Sequence, residues 1–276
     1  MLDGICQCND KYSYIINDDE NNIIIDKNGI HDLTIKKVNN LNIEVLENIN
    51  AIVNIFEYDE NKLEIKLNIS KNSKIGYYVY SYKSNEKNTY IFLNEASYLK
   101  VYNMEIGYNT DIFYNIKLLG ENSFLDYNYV LYSDYDNVNK LNLKVEHLNR
   151  NTKAVVRNIG VLNDNASCTF DVNNYIKEGS KGTDVTQKNS ILCLSDNCIS
   201  KINPMLEIDE YDVSASHSAT VSKINSNDLY YLMSRGIKED SAKKVVSIGY
   251  LLMNAPRHIE EYLNDMLEKR FNDERI

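Results

Sequence analysis

The chain has 276 residues, 43% hydrophobic and 25% charged, enough to bury a sizeable core in one long domain or in a large and a small one. A net charge of −10 and a pI near 5.0 argue against nucleic acid and anionic membrane surfaces as partners, because both are held by clustered Lys and Arg. No apolar run approaches the ~20 residues that span a bilayer, and no basic stretch with an apolar core opens the chain, so a cytoplasmic location is expected.

In chain order, the first feature is Cys6-x-Cys8, two thiols able to meet a metal but more often incidental at a terminus. With Cys168, Cys193 and Cys198 they make an odd count, which reads as free thiols rather than a disulfide framework. From there to about residue 224 the dominant pattern has period two. Ile43 and Val45 alternate with Asn42 and Glu44, and Leu63, Ile65, Leu67 and Ile69 with Glu64, Lys66 and Asn68. Tyr78, Tyr80 and Tyr82 alternate with Val79 and Ser81. Such alternation predicts strands buried on one face.

Asp18-Asp19-Glu20-Asn21-Asn22, Ser70-Lys71-Asn72-Ser73 and Asn163-Asp164-Asn165 separate these runs as turns, since short polar side chains tolerate left-handed backbone. Many short strands of this kind imply a sandwich, a barrel or a β-solenoid. The near-regular spacing leans toward the solenoid, although no crisp motif repeats. A solenoid needs both ends protected, and the helices that follow offer a cap for one. Cys168, in the alternating run Ser167-Cys168-Thr169-Phe170, and Cys193, in an apolar strand, read first as core positions.

Residues 225–276 switch to helical spacing, giving a division into 1–224 and 225–276. Asn225 or Ser226 caps a short helix with Leu229, Leu232 and Met233 on one stripe, and Gly236 stops it. A second helix begins near Lys238 and carries Ala242, Val245, Val246, Gly249, Leu252 and Met253. Pro256 interrupts it, and a third carries Ile259, Leu263, Met266 and Leu267 before a frayed end at residues 272–276.

One segment is more specific than any periodicity. Pro204, Leu206, Glu207 and Ile208 are followed by Asp212 and Val213, then by Ser216, His217, Ala219, Thr220 and Val221, then by Leu232, Ser234, Arg235, Gly236 and Ile237. This run resembles the signature of the SufB/SufD family. His147 to Thr152, Gly182 to Gln187 and Ser190 to Asp196 are similar to weaker family patterns, so the resemblance covers about 110 residues, from His147 to Met253.

The resemblance implies a mainly β fold, a parallel β-helix followed by a small C-terminal helical domain. It also implies a non-enzymatic scaffold of the SUF iron–sulfur cluster assembly system. The expected partners are a second SufB/SufD-type chain paired through the β-helix, as homodimer or heterodimer, a SufC-like ABC ATPase docked on the helices, and a cysteine desulfurase system as sulfur donor. The cluster would be transient and built at the scaffold interface.

Cys198 matches the place of an essential cysteine in SufB, and His217 a histidine that SufD uses in cluster formation, so both are candidate metal ligands. Ser216 and Ser218 stand where SufB has glutamates, so that ligand or proton acceptor does not carry over. The bland alternatives are a small buried hydrophobe for Cys198 and a satisfied structural histidine for His217. Gln187, Cys168 and Cys193 are weaker candidates for a sulfur-transfer route. Leu229, Tyr230, Tyr231, Arg235 and Gly236 are the expected ATPase docking face, since Tyr and Arg anchor interfaces.

The chain has no G-x-x-x-x-G-K-[ST] loop, so nucleotide hydrolysis is expected from the partner, and it has no H-E-x-x-H, C-x-x-C or G-x-S-x-G. Two alternatives stand beside the scaffold: a SufD-like structural partner without cluster ligands, and a β-helix carbohydrate-active enzyme using clustered carboxylates.

Overall fold

The computed structural model describes residues 5, 10–17, 21–57, 62–81, 85–253, 255 and 257–271. The Cys6-x-Cys8 pair, Asp18-Asp19-Glu20, Tyr82, Pro256 and residues 272–276 lie outside the described residues.

The alternating runs form β1 (Lys11–Ile16), β2 (Asn22–Ile25), β3 (Gly29–Ile35), β4 (Asn40–Val45), β5 (Asn50–Glu57) and β6 (Lys62–Ile69). They continue as β7 (Lys74–Ser81), β8 (Asn85–Leu93), β9 (Tyr98–Ile106), β10 (Thr110–Leu118), β11 (Phe124–Ser133) and β12 (Val138–His147). The last are β13 (Lys153–Leu162), β14 (Ser167–Ile176), β15 (Thr183–Cys193), β16 (Ile199–Ile208) and β17 (Val213–Lys223). Odd-numbered strands make one nine-stranded sheet and even-numbered strands an eight-stranded one, every pair parallel. Each strand therefore pairs with the strand two along, and the chain winds as a parallel β-solenoid with two strands per coil.

Alternation works here because the inward residues of successive coils stack. Ile43, Leu67, Ile91, Ile116 and Val145 lie in one register row, all buried. Burying each such side chain is worth about 1.5–3 kcal/mol, so the row holds neighbouring coils together more firmly than any single turn does. Lys11 pairs with Ile30, an offset of 19 residues; Ile52 pairs with Gly76, an offset of 24; Gln187 pairs with His217, an offset of 30. The coils lengthen along the chain, which is why no fixed repeat is visible in the sequence. The turn runs behave as expected: Asn72 (φ 58°) and Asp164 (φ 51°) adopt left-handed backbone.

The tail forms α1 (Ser226–Ser234), α2 (Glu239–Leu252) and α3 (Arg257–Phe271). Asn225 is the N-cap of α1, its side chain accepting from the Asn227 N–H at 3.0 Å, and Gly236 follows the helix at φ +87°. The Leu229, Leu232 and Met233 stripe is left unburied, as is the whole of α1. One expectation needs correction: the helices do not cover an end of the solenoid. Leu251 from α2 and Ile259, Leu263, Met266 and Leu267 from α3 pack on Tyr78, Tyr102, Met104 and Tyr132 along the outer face of the nine-stranded sheet. That outer face is apolar, so β7 is buried on both sides rather than one, and the helices satisfy a flank rather than an end.

Candidate functional site

The last two strands have no coil stacked beyond them among the described residues. β16 and β17 are the terminal members of their sheets, and neither contains a buried residue. The row that faces inward in earlier coils opens here to solvent. On β17, Ala215, His217, Ala219 and Val221 continue the buried positions Val185, Gln187, Asn189 and Ile191 of β15. On β16, Ile202, Pro204, Leu206 and Ile208 continue Phe170, Val172, Asn174 and Ile176 of β14. The signature segment thus forms the open end of the solenoid.

The three described cysteines gather at one corner of this end. Cys193 closes β15, and Cys198 precedes β16 by one residue. Cys168 begins the inward row of β14 in register with Ser200. The Cys193 thiol points at the Ser200 hydroxyl at 3.7 Å. Cys198, half-buried, lies 3.5 Å from the Ser195 hydroxyl and 3.8 Å from the Asp164 carbonyl. Burial pushes the Cys168 thiol far above its ordinary value, with Cys193 adding to it. Burial also raises Cys193; the Ser200 hydroxyl opposes it, Cys198 adds to it, and Lys223 opposes it. Lys223 is in register with Cys193 and bonds Asp196 at 2.6 Å on the surface.

His217 is exposed in the middle of β17. It lies six residues before Lys223, about 20 Å along the strand at ~3.3 Å per residue. One copy of the chain therefore does not bring Cys198 and His217 together. No group of three or more His, Cys, Asp or Glu among the described residues has the arrangement of a metal site. Gln187, directly beneath His217, is buried and occupied: it accepts from the Asn174 amide at 2.5 Å and donates to the Val172 carbonyl at 3.3 Å. Two of the weaker upstream patterns meet in one corner, where the His147 Nδ1 lies 2.8 Å from the Thr152 hydroxyl and Thr152 lies 3.0 Å from Thr183; the third, Ser190 to Asp196, lies at the opposite end of β15. The two contacts are coil-to-coil fastenings.

On α1, Tyr230 and Tyr231 are 75% and 58% exposed, and Arg235 reaches back over the Tyr231 ring at 5.3 Å. Leu229 is half-buried, and Gly236 has open space around its Cα. Sequence reasoning missed a buried charge cluster in the solenoid. Lys87 lies 2.8 Å from Glu57 and 3.6 Å from Glu105, with the Ser81 hydroxyl donating to both carboxylates. A signal existed: Lys87 falls in the same alternating row as Thr89, Ile91 and Leu93, which marks it as inward-facing.

A family model described as the SufBD core domain of SUF system FeS cluster assembly matches residues 25–250. The chain is 31% identical over 134 residues to the iron–sulfur cluster assembly protein SufD of Bacillus subtilis (strain 168), covering 49% of this chain and 31% of that protein. It is 32% identical over 128 residues to an iron–sulfur cluster assembly SufBD family protein of Mycobacterium leprae (strain TN), covering 45% and 15%. Against the iron–sulfur cluster assembly protein SufB of Bacillus subtilis (strain 168) it is 27% identical over 108 residues, covering 39% and 23%. The chain spans less than a third of the length of each of these relatives. The signature segment forms the last coil and α1, and the family match runs from β2 through that segment into α2: the chain belongs to the SufBD core-domain family of the SUF iron–sulfur cluster assembly system.

Proposed function

We propose that this chain is a non-catalytic scaffold on which an iron–sulfur cluster is assembled and released, the cluster being its cargo. In this reading the open end of β16 and β17 pairs with a second chain of the family, identical or not. α1 docks a SufC-like ATPase through Leu229, Tyr230, Tyr231, Arg235 and Gly236, and a cysteine desulfurase system supplies the sulfur.

The observation that carries the reading is the uncovered last coil, which holds a reachable thiol, Cys198, at its corner and an exposed imidazole, His217, about 20 Å along β17 from Lys223 at the end of that strand. Ligands so far apart in one copy suit a site completed across two chains, where Cys198 of one copy and His217 of the other complete the donor set. Thiolate and imidazole are both iron ligands, and a small mixed set suits cargo that must leave. Gln187, Cys168 and Cys193 remain candidates for a sulfur route behind this face, although Gln187 already has two partners.

The test is iron and acid-labile sulfide per chain after anaerobic co-purification with the host's SufC-like ATPase and reconstitution with ATP. Wild type is expected to capture the ATPase and hold cluster, and Cys198→Ser to lose most of that cluster while keeping the ATPase. Equal iron in both forms, or none, would instead mark a SufD-like structural partner, the role to which Ser216 and Ser218 point.

A further inference from the structure

Along one edge of the solenoid, the turns from even to odd strands are tied coil to coil by backbone hydrogen bonds. Asn48, Asn72, Ala96, Asn122, Asn151 and Gly182 form a column there, all with left-handed backbone, φ from 50° to 72°. The N–H of each donates to a carbonyl of the next turn at 2.7–3.2 Å, from Asn48 to Lys71 through to Gly182 to Asp212. Asp184 pairs with Ser214, so Asp212 lies opposite Gly182 and is the next member of the column. Its N–H is the donor that a further coil would receive. That N–H is already taken. One oxygen of the Glu210 carboxylate accepts it at 3.3 Å together with the Tyr211 N–H at 2.9 Å, and the other oxygen accepts the Gly179 N–H at 3.0 Å. Asp212 also leaves the left-handed backbone of the column. The Asp212 N–H foremost, with those of Gly179 and Tyr211, holds the Glu210 carboxyl below its ordinary value, so it stays a charged acceptor at neutral pH.

We propose that Glu210 is a stop residue: it bars the first coil of a second copy from stacking in parallel on the last coil of this one, so the open end can take a partner without growing into a fibre. Parallel stacking of identical chains is a head-to-tail contact, which does not close on itself and propagates. The edges of β16 and β17 would template it, since every strand pair in the two sheets is parallel. An incoming first turn meets Glu210 in two ways. Its carbonyl finds no free N–H at Tyr211 or Asp212, and a covered carbonyl without a donor is costly. It also brings Asp26 against Glu210 and Asp212, because Gly29 pairs with Ala51 and Asp26 therefore holds the column position of that turn. Stacked like charges repel. The inference deepens the reading of the open end as a pairing face. It rests on that reading for the partner that is admitted, not for the copy that is refused.

The test compares the full chain as wild type, Glu210→Ala and Glu210→Gln by sedimentation velocity over a concentration series, with millisecond hydrogen exchange read on the peptide covering residues 207–214. In Glu210→Ala, exchange at Tyr211 and Asp212 should run at least about tenfold faster. Species larger than a pair should grow with concentration, whereas wild type should stop at a single chain or a pair. Glu210→Gln keeps an acceptor oxygen and should stay at wild-type size. Adding Val221→Glu to Glu210→Ala should dissolve the larger species, because they grow from the open end. Faster exchange without larger species overturns the proposal and leaves Glu210 as a local turn cap. Unchanged exchange, growth of both Glu210 variants alike, or larger species that survive Val221→Glu overturns it as well. If wild type never pairs, the pairing reading falls, and the response to Glu210→Ala still decides this one.

Discussion

Lys87 has no solvent exposure, and an isolated ammonium there would be untenable. Glu57, Ser81 and Glu105 occupy one register row across β5, β7 and β9 and face it together. Burial alone would depress the ammonium, but Glu57 and Glu105 hold it above its ordinary value. Burial pushes Glu105 up to about 7, against the pull of Lys87 and with Glu57 adding to it. The Lys87 ammonium thus sits between two acidic side chains, and the Glu105 carboxyl is near its midpoint around neutral pH. Between the ordinary 4.5 and about 7, folded Glu105 binds more proton than unfolded Glu105. Its contribution therefore falls as pH rises through that window.

His147 acts in the opposite sense. Burial lowers it to about 3, so the unfolded chain binds more proton between there and 6.5, and its contribution rises with pH. The two overlap, so the Glu105 effect is read as a difference. Glu105→Gln should remove the falling component from a series of urea melts across pH and leave the rising one. An unchanged profile would mean that Glu105 titrates as an ordinary carboxylate. Lys87→Met, which strands two buried carboxyl groups, is expected to cost about 3–5 kcal/mol in the same melts.

At the scale of elements, α3 is held by more than its apolar stripe. Arg270 reaches Asp134, in the turn after β11, with its Nε at 3.0 Å and a terminal nitrogen at 2.6 Å. The guanidinium lies 5.0 Å from the Tyr135 ring centroid and 5.9 Å from that of Tyr108, with both members of the ion pair largely buried. Gly107 makes room: a Cβ there would come within 2.5 Å of the Arg270 Nε, and its φ of +75° disfavours any side chain. A fork bonded twice to a buried carboxylate is a directional fastening, unlike the sliding contact of Leu263 and Leu267 on tyrosines. Arg270→Ala should cost about 3 kcal/mol and raise amide exchange throughout α3 while sparing β9 and β11. Unchanged exchange in α3 would show that apolar packing alone holds the helix. α1 has no buried residue, which suits the docking role proposed for it.

At the scale of the molecule, the solenoid is closed along one flank by helices and open at its last coil. Ile208 and Val221 are inward-row residues left 44% and 51% exposed, and β16 and β17 present unpaired strand edges. Solenoids need such ends covered, because an uncapped coil exposes both core and backbone. Val221→Glu should leave the monomer folded, since no described strand stacks on that position, and should shift a paired species toward monomer in sedimentation velocity. If wild type and variant sediment alike both alone and with another chain of the family, the open end is not the pairing face.

Strand alternation, the turn asparagines and the α1 cap were all legible in the chain itself, because each depends on a periodicity or on the conformational taste of one residue. So was the family, carried by the run from Pro204 to Ile237. The family resemblance implied the solenoid, but periodicity alone left sandwich and barrel open; what holds it physically is coil-to-coil burial such as the Ile43 to Val145 row, which spans 102 residues (145 − 43). The covered flank, the Arg270–Asp134 fastening and the gathering of Cys168, Cys193 and Cys198 were likewise beyond any local pattern. Each joins residues from different coils or from the tail, and coil lengths that vary from 19 residues (Lys11 to Ile30) to 32 (Ser167 to Ile199) leave no fixed spacing by which a sequence announces them. Local sequence set what each segment prefers; stacking in three dimensions decided which segments meet.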